Sequence, residues 1–179
     1  MDEKHLRIIL GSESDIKNAN IVLTIWQIFG INSAVSIGSC HWHSGDDFNE
    51  FVKSIPEDII VFLGGMSLHA PAIIKSILFN ANIFTLVVGV PTDKSARDAI
   101  EVLPEGAGIL TTGLNTISLT HSLKNAAYSI APLIAKLNPD SGIWQKILEH
   151  NKLKRCVEKR LQPNIQLINS LIPIPKKTK

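Results

Sequence analysis

Cysteine is nearly missing from this chain: Cys40 and Cys156 are the only two, far apart in sequence. Two such thiols cannot form the disulfide framework of a small secreted domain, so a reducing cytoplasm is the expected setting. Long apolar runs are missing too, and nothing approaches the ~18 consecutive apolar residues of a membrane span. The opening MDEKHLRII is acidic and has no apolar h-region, which argues against a signal peptide. Aromatic residues make up 6% of the chain and do not interleave with its basic residues, so nucleic acid is not an expected partner. Nor is there a large excess of charge, the net value being +2. That balance hides an asymmetry. Residues 146–179 hold nine Lys/Arg and two acids, a balance of +7, so the remainder carries −5. These bases are spread along a helical pattern and a proline-containing end, and read as a solvated surface.

What remains is the composition of an ordinary globular domain, 179 residues with 45% hydrophobic and 19% charged. Apolar runs alternate with helical patterns. Strands are expected at residues 6–10, 33–38, 58–63, 83–88 and 108–112, and helices at 16–29, 46–54, 71–79, 96–102 and 119–137. Gly30 stops the first helix in the C′ role, Pro71 suits a helix start, and Pro132 is a potential kink. Such alternation predicts an α/β three-layer sandwich, a central parallel sheet of flavodoxin-like or Rossmann-like type with helices on both faces. Beyond Pro139 a stripe of Ile143, Trp144, Ile147, Leu148, Val157 and Leu161 predicts an appended helix, packed on another subunit or back onto the core. Residues 1–140 are thus read as the α/β domain and 141–179 as a helical and extended basic extension.

In open parallel sheets ligands sit beyond the carboxyl ends of the strands. There this chain concentrates Gly, Ser, Asp and His. Gly11 permits a tight turn; Ser12 and Ser14 offer hydroxyls, and Asp15 is suited to cap the next helix, where free N–H groups favour an anion such as phosphate. Ser39 and His41 follow the second strand; Gly64, Gly65 and His69 follow the third; Gly89-Val90-Pro91 closes the fourth. A histidine can move a proton near neutral pH without a cofactor. Elsewhere packing roles are expected for Trp26, Trp144, Asn125, Ala126 and Cys156, while His5, His121 and His150 show no partner pattern.

These segments together resemble one family. Gly11-Ser12-Glu13-Ser14-Asp15, Ser39-Cys40-His41-Trp42, the loop 63–72 ending His69-Ala70-Pro71-Ala72, Gly89-Val90-Pro91 and Asn125-Ala126-Ala127 follow, in order, the GSxSD, SAHR, GAGGAAHLPG, GVP and NAA segments of phosphoribosylaminoimidazole carboxylases. The likeness runs from about residue 6 to 137 and is greatest to the N5-carboxyaminoimidazole ribonucleotide mutases of purine synthesis. It implies a cofactor-free, metal-free transfer of carboxylate from the exocyclic nitrogen to C4 of the imidazole. Carbon dioxide is released and recaptured in a closed pocket, with His41 shuttling the proton. By the same resemblance Ser12, Ser14, Asp15, Ser39 and the residue at Trp42 would hold ribose and phosphate. Gly64, Gly65 and His69 would enclose the ring and carbon dioxide. A homo-oligomer, an octamer in the bacterial branch, is implied as well.

The departures are specific. Trp42 replaces the family's arginine, exchanging a charged fork for one neutral N–H, a loss of about 1.5–3 kcal/mol unless His43, Lys94 or Arg97 takes over. Met66 and Leu68 replace small residues and are expected to narrow the ring pocket. Two other readings stand beside the mutase. Cys40-His41-x-His43, with Asp46 and Asp47, has ligand types suited to zinc. Alternatively the scaffold binds, or carboxylates or decarboxylates, another nucleotide-like ligand, or serves as an inactive binding or assembly protein.

Overall fold

The computed structural model describes residues 6–41, 43, 45–101, 110–111 and 119–153. A five-stranded sheet runs β2-β1-β3-β4-β5, with every neighbouring pair parallel. The strands are β1 (Leu6–Leu10), β2 (Ala34–Ile37), β3 (Ile59–Gly64), β4 (Leu86–Pro91) and β5 (Leu110–Thr111). Between them lie α1 (Ile16–Phe29), α2 (Gly45–Lys53), α3 (Ala70–Asn80) and α4 (Ala96–Glu101), and α5 (Leu119–Leu137) follows β5. This is the flavodoxin-like strand order, as the alternation predicts.

The period-2 geometry of strands sorts side chains to two faces. Leu6, Ile8 and Leu10 of β1, with Ile59, Val61 and Leu63 of β3, pack on α1 and α5; Ile9, Ile60 and Phe62 pack on α2 and α3. All six residues of β3 are buried, which explains why it reads as a continuous apolar run. On α5 the buried positions 123, 126, 127, 130, 131 and 134 recur at helical spacing. Trp26 is fully buried, and its indole Nε1 donates to the carbonyl of Ala127 at 3.0 Å, joining α1 to α5.

The helical segment at 143–153 packs Ile143 and Ile147 into the α1/α5 face. Trp144 is 53% exposed, contrary to its expected packing role. Asn125 is likewise exposed, since it lies off the stripe that buries Ala126 and Ala127. His150 gains partners that no local pattern announces: its ring stacks on Tyr128, meets Phe29 edge-on, and its Nε2 lies 3.1 Å from the Tyr128 hydroxyl. The expected roles of Cys156 and the tail fall on residues outside those described.

Two local corrections bear on the site. The fourth strand starts at Leu86, not residue 83, because the ladder with β3 opens at Leu86 opposite Ile59, and Phe84 is 90% exposed. Gly89-Val90-Pro91 therefore lies inside β4 and not beyond it. A short 3₁₀ turn, Glu13–Asp15, precedes α1, and Asp15 does not cap that helix. Its carboxylate reaches back to Ser12 instead.

Candidate active site

Strand order reverses between β1 and β3, and an open parallel sheet has its natural crevice there. The backbone ladder continues past the strand ends: Gly11 N–H bonds Leu63 O at 2.9 Å, Gly38 N–H bonds Leu10 O at 2.9 Å, and Thr92 N–H bonds Gly64 O at 3.0 Å. The loops after four strands thus start in fixed register. They enclose a cleft of about 240 Å³ lined by Gly11, Ser12, Ser14, Asp15, Ser39, His41, Gly65, Met66, Ser67 and Asp93.

On the β1 side the polar groups are tied together. Asp15 is buried, and its Oδ2 accepts from the Ser12 N–H and the Ser12 hydroxyl, each at 3.2 Å. The Ser12 and Ser14 oxygens are 2.5 Å apart, both exposed to the cleft mouth. On the β2 side Ser39 is buried and its Oγ accepts from His41 N–H at 3.3 Å. His43 turns back onto the same turn, with Nδ1 donating to Ser39 O at 2.8 Å. Its Nδ1 is thereby engaged, and Nε2 is the nitrogen of this exposed ring that a phosphate could meet. Lys94 is exposed; Trp42 and the side chain of Arg97 lie outside the description.

On the β3 side, Ser67 explains two glycines. A Cβ on Gly11 or on Gly64 would collide with the Ser67 Oγ, so both strand ends must be bare for the hydroxyl to sit between them. A Cβ on Gly65 would likewise meet the Asp93 carboxylate. Asp93 Oδ1 accepts from Ser95 N–H at 2.8 Å and from the Ser95 hydroxyl. Leu68 is fully buried in the α2/α3 face, where Gly89 leaves room for it, and does not narrow the cleft as expected. Met66 does line the cleft and is 56% exposed.

His41 and His69, from loops after different strands, come together with ring centroids 4.8 Å apart. His69 Nδ1 donates to Met66 O at 3.1 Å, and its Nε2 lies 3.7 Å from Cys40 Sγ. Cys40 carries a free thiol, and burial pushes it above its ordinary range. Asp46 and Asp47 stay exposed on the first turn of α2.

Of the residues expected at the site, Ser12, Ser14, Asp15, Ser39, His41 and Gly65 line the cleft, Gly64 ends β3 beneath it, and His69 abuts His41. Ser67 and Asp93 were not anticipated. Their signal was indirect, in the glycines that accommodate them. Among the described residues the lining carries two carboxylates and no Lys or Arg.

A parallel sheet with polar, His-bearing loops at its switch point defines a small-ligand α/β domain. The chain belongs to the AIR carboxylase family, whose model matches residues 5–155. It is similar to the N5-carboxyaminoimidazole ribonucleotide mutase of Methanocaldococcus jannaschii, 28% identical over 157 residues that cover 84% of this chain and 90% of that one. The corresponding mutase of Thermotoga maritima is 27% identical over 165 residues, covering 87% and 88%. The fold matches the crystal structure of Treponema denticola PurE with a TM-score of 0.64, at 17% identity and over 90% of this chain and 97% of that one.

Proposed function

We propose that this chain is an N5-carboxyaminoimidazole ribonucleotide mutase of purine biosynthesis. The observation that carries the reading is the meeting of His41 and His69 at a cleft edged by Ser12, Ser14, Asp15 and Ser39. The substrate carbamate loses carbon dioxide from the exocyclic nitrogen, and C4 of the ring then attacks it. His41 takes the proton that C4 loses and returns one to the exocyclic nitrogen. Electrons and atoms balance without an oxidant or reductant, so no cofactor enters. His69 and the Gly64-Gly65 turn border the ring and keep water from the released carbon dioxide. The hydroxyls of Ser12 and Ser14 face ribose and phosphate. A homo-oligomer, an octamer by family resemblance, in the cytoplasm completes the reading; exposed Phe84, Met66 and Trp144 are side chains an assembly would cover.

One observation favours a second reading, a relative that binds a nucleotide-like ligand without turnover. The described lining offers Asp15 and Asp93 but no Lys or Arg to pair with a phosphate. An ultraviolet assay with the two carboxyaminoimidazole ribonucleotide isomers separates the two. Interconversion that His41→Ala reduces by about 10²–10⁴, the usual contribution of a positioned acid–base group, is the expected result. Ribonucleotide binding without interconversion would establish the second reading and sink the first.

A further inference from the structure

We propose that Cys40, His41 and His69 form a binding site for a divalent ion of the zinc class. One ligand atom from each lies within 4.8 Å of the others. Zinc–sulfur and zinc–nitrogen bonds of about 2.3 and 2.0–2.1 Å at a tetrahedral angle put sulfur and nitrogen about 3.5 Å apart. Cys40 Sγ and His69 Nε2 are 3.7 Å apart, so this edge is already formed. His41 is exposed, and a ligand nitrogen of its ring lies within 4.8 Å of both of these atoms. Three protein ligands then leave a fourth position for water.

The surroundings fit a cation. The bond from His69 Nδ1 to Met66 O fixes the ring and presents the Nε2 lone pair, the second-layer support that metal-bound histidines have. Half-buried Cys40 has no cationic side chain among the described residues of the cleft lining, which instead carries Asp15 and Asp93. When the ion binds, the Cys40 S–H bond breaks, a metal–sulfur bond forms and the proton leaves to solvent. Sequence spacing groups Cys40 and His41 with His43; among the described residues the fold brings His69 to them instead, while His43 Nδ1 is bonded to Ser39 O.

Zinc here occupies the lone pair with which His41 would take a proton. Resting on the mutase reading, the consequence is reversible inhibition by zinc at the active site itself.

The test uses the full chain with zinc chloride and with cobalt(II) chloride, alone and without ribonucleotide. Cobalt is expected to give a near-ultraviolet thiolate-to-metal band that Cys40→Ala abolishes. Zinc affinity, measured against a chromophoric chelator, should fall by more than about 100-fold in Cys40→Ala and in His69→Ala, since even outer-layer partners are worth 10–100-fold. It should be unchanged in His43→Ala. Absence of the cobalt band, or equal zinc affinity in the parent chain and Cys40→Ala, would overturn the site. These readouts do not depend on turnover, so a chain that binds cobalt through Cys40 but lacks mutase activity loses the function, not the site. An active chain indifferent to bound zinc refutes the inhibition.

Discussion

Arg7 breaks the apolar run of β1, and its replacement is the sharpest test of what holds the sheet. Its Nε and one terminal nitrogen donate to the two oxygens of Glu57 at 2.9 and 2.8 Å, and its other terminal nitrogen donates to Ser36 Oγ at 2.7 Å. The Arg7 side chain is 20% exposed and that of Glu57 only 2%. Arg7→Ala leaves a buried carboxylate without its partner, which typically costs about 3–5 kcal/mol. Against a total stability of about 5–15 kcal/mol that is a large fraction. With a urea slope of about 2 kcal/mol/M, the unfolding midpoint should drop by about 1.5–2.5 M. The pair itself is a different matter, because its attraction largely offsets the desolvation of both ions. Arg7→Met with Glu57→Leu together should cost less than about 1.5 kcal/mol. The measurement is urea unfolding of the parent and both variants by far-ultraviolet circular dichroism. A single-variant drop below about 0.5 M, or a double variant that falls as far as the single one, refutes the reasoning. Arg7 lies near the amino end of β1, opposite the cleft, so ligand affinity of the folded variants should not change.

Two further outcomes follow from the cleft. Gly65→Ala must push the Asp93 carboxylate off Gly65 and away from Ser95 N–H, costing about 1 kcal/mol for the lost bond. The cost should vanish in an Asp93→Ala background, and equal urea midpoint shifts in the two backgrounds would contradict the contact. Cys40, its thiol pushed up by burial, should react with iodoacetamide at pH 8 several-fold more slowly in the folded chain than in urea, measured in a Cys156→Ser background. The sign follows from linkage: the folded chain holds this proton to higher pH, so the associated stability is present below the unfolded pKa. It is lost as pH rises through the folded one. Equal labelling rates would contradict it.

Much of the fold is legible because local pattern and burial agree. β3 is apolar throughout since both its faces are covered, and α5 shows its buried stripe at positions 123, 126, 127 and 130. Legibility fails where a partner is distant in sequence. Residues 83–85 look like strand, yet the register with β3 decides, and it begins at Leu86. Trp144 has an apolar ring at a helical spacing, but the face it occupies is not the one carrying Ile143 and Ile147. At the site, Ser12, Ser39 and His41 are legible from their places after strands. Ser67 and Asp93 are single polar residues in loops, and only the collisions at Gly11, Gly64 and Gly65 give them a position.

Among the described residues β2 pairs only with β1, and it is four residues long with Val35 and Ile37 exposed. The loop carrying His41 is mounted on this strand, whereas His69 follows β3 in the middle of the sheet. The two halves of the site therefore rest on supports of unequal durability. An edge strand of this kind opens locally at a fraction of the free energy that unfolds the whole domain. Warming would separate the histidines while the sheet's centre is still intact, so on the proposed mutase reading activity is lost at a lower temperature than the protein melts.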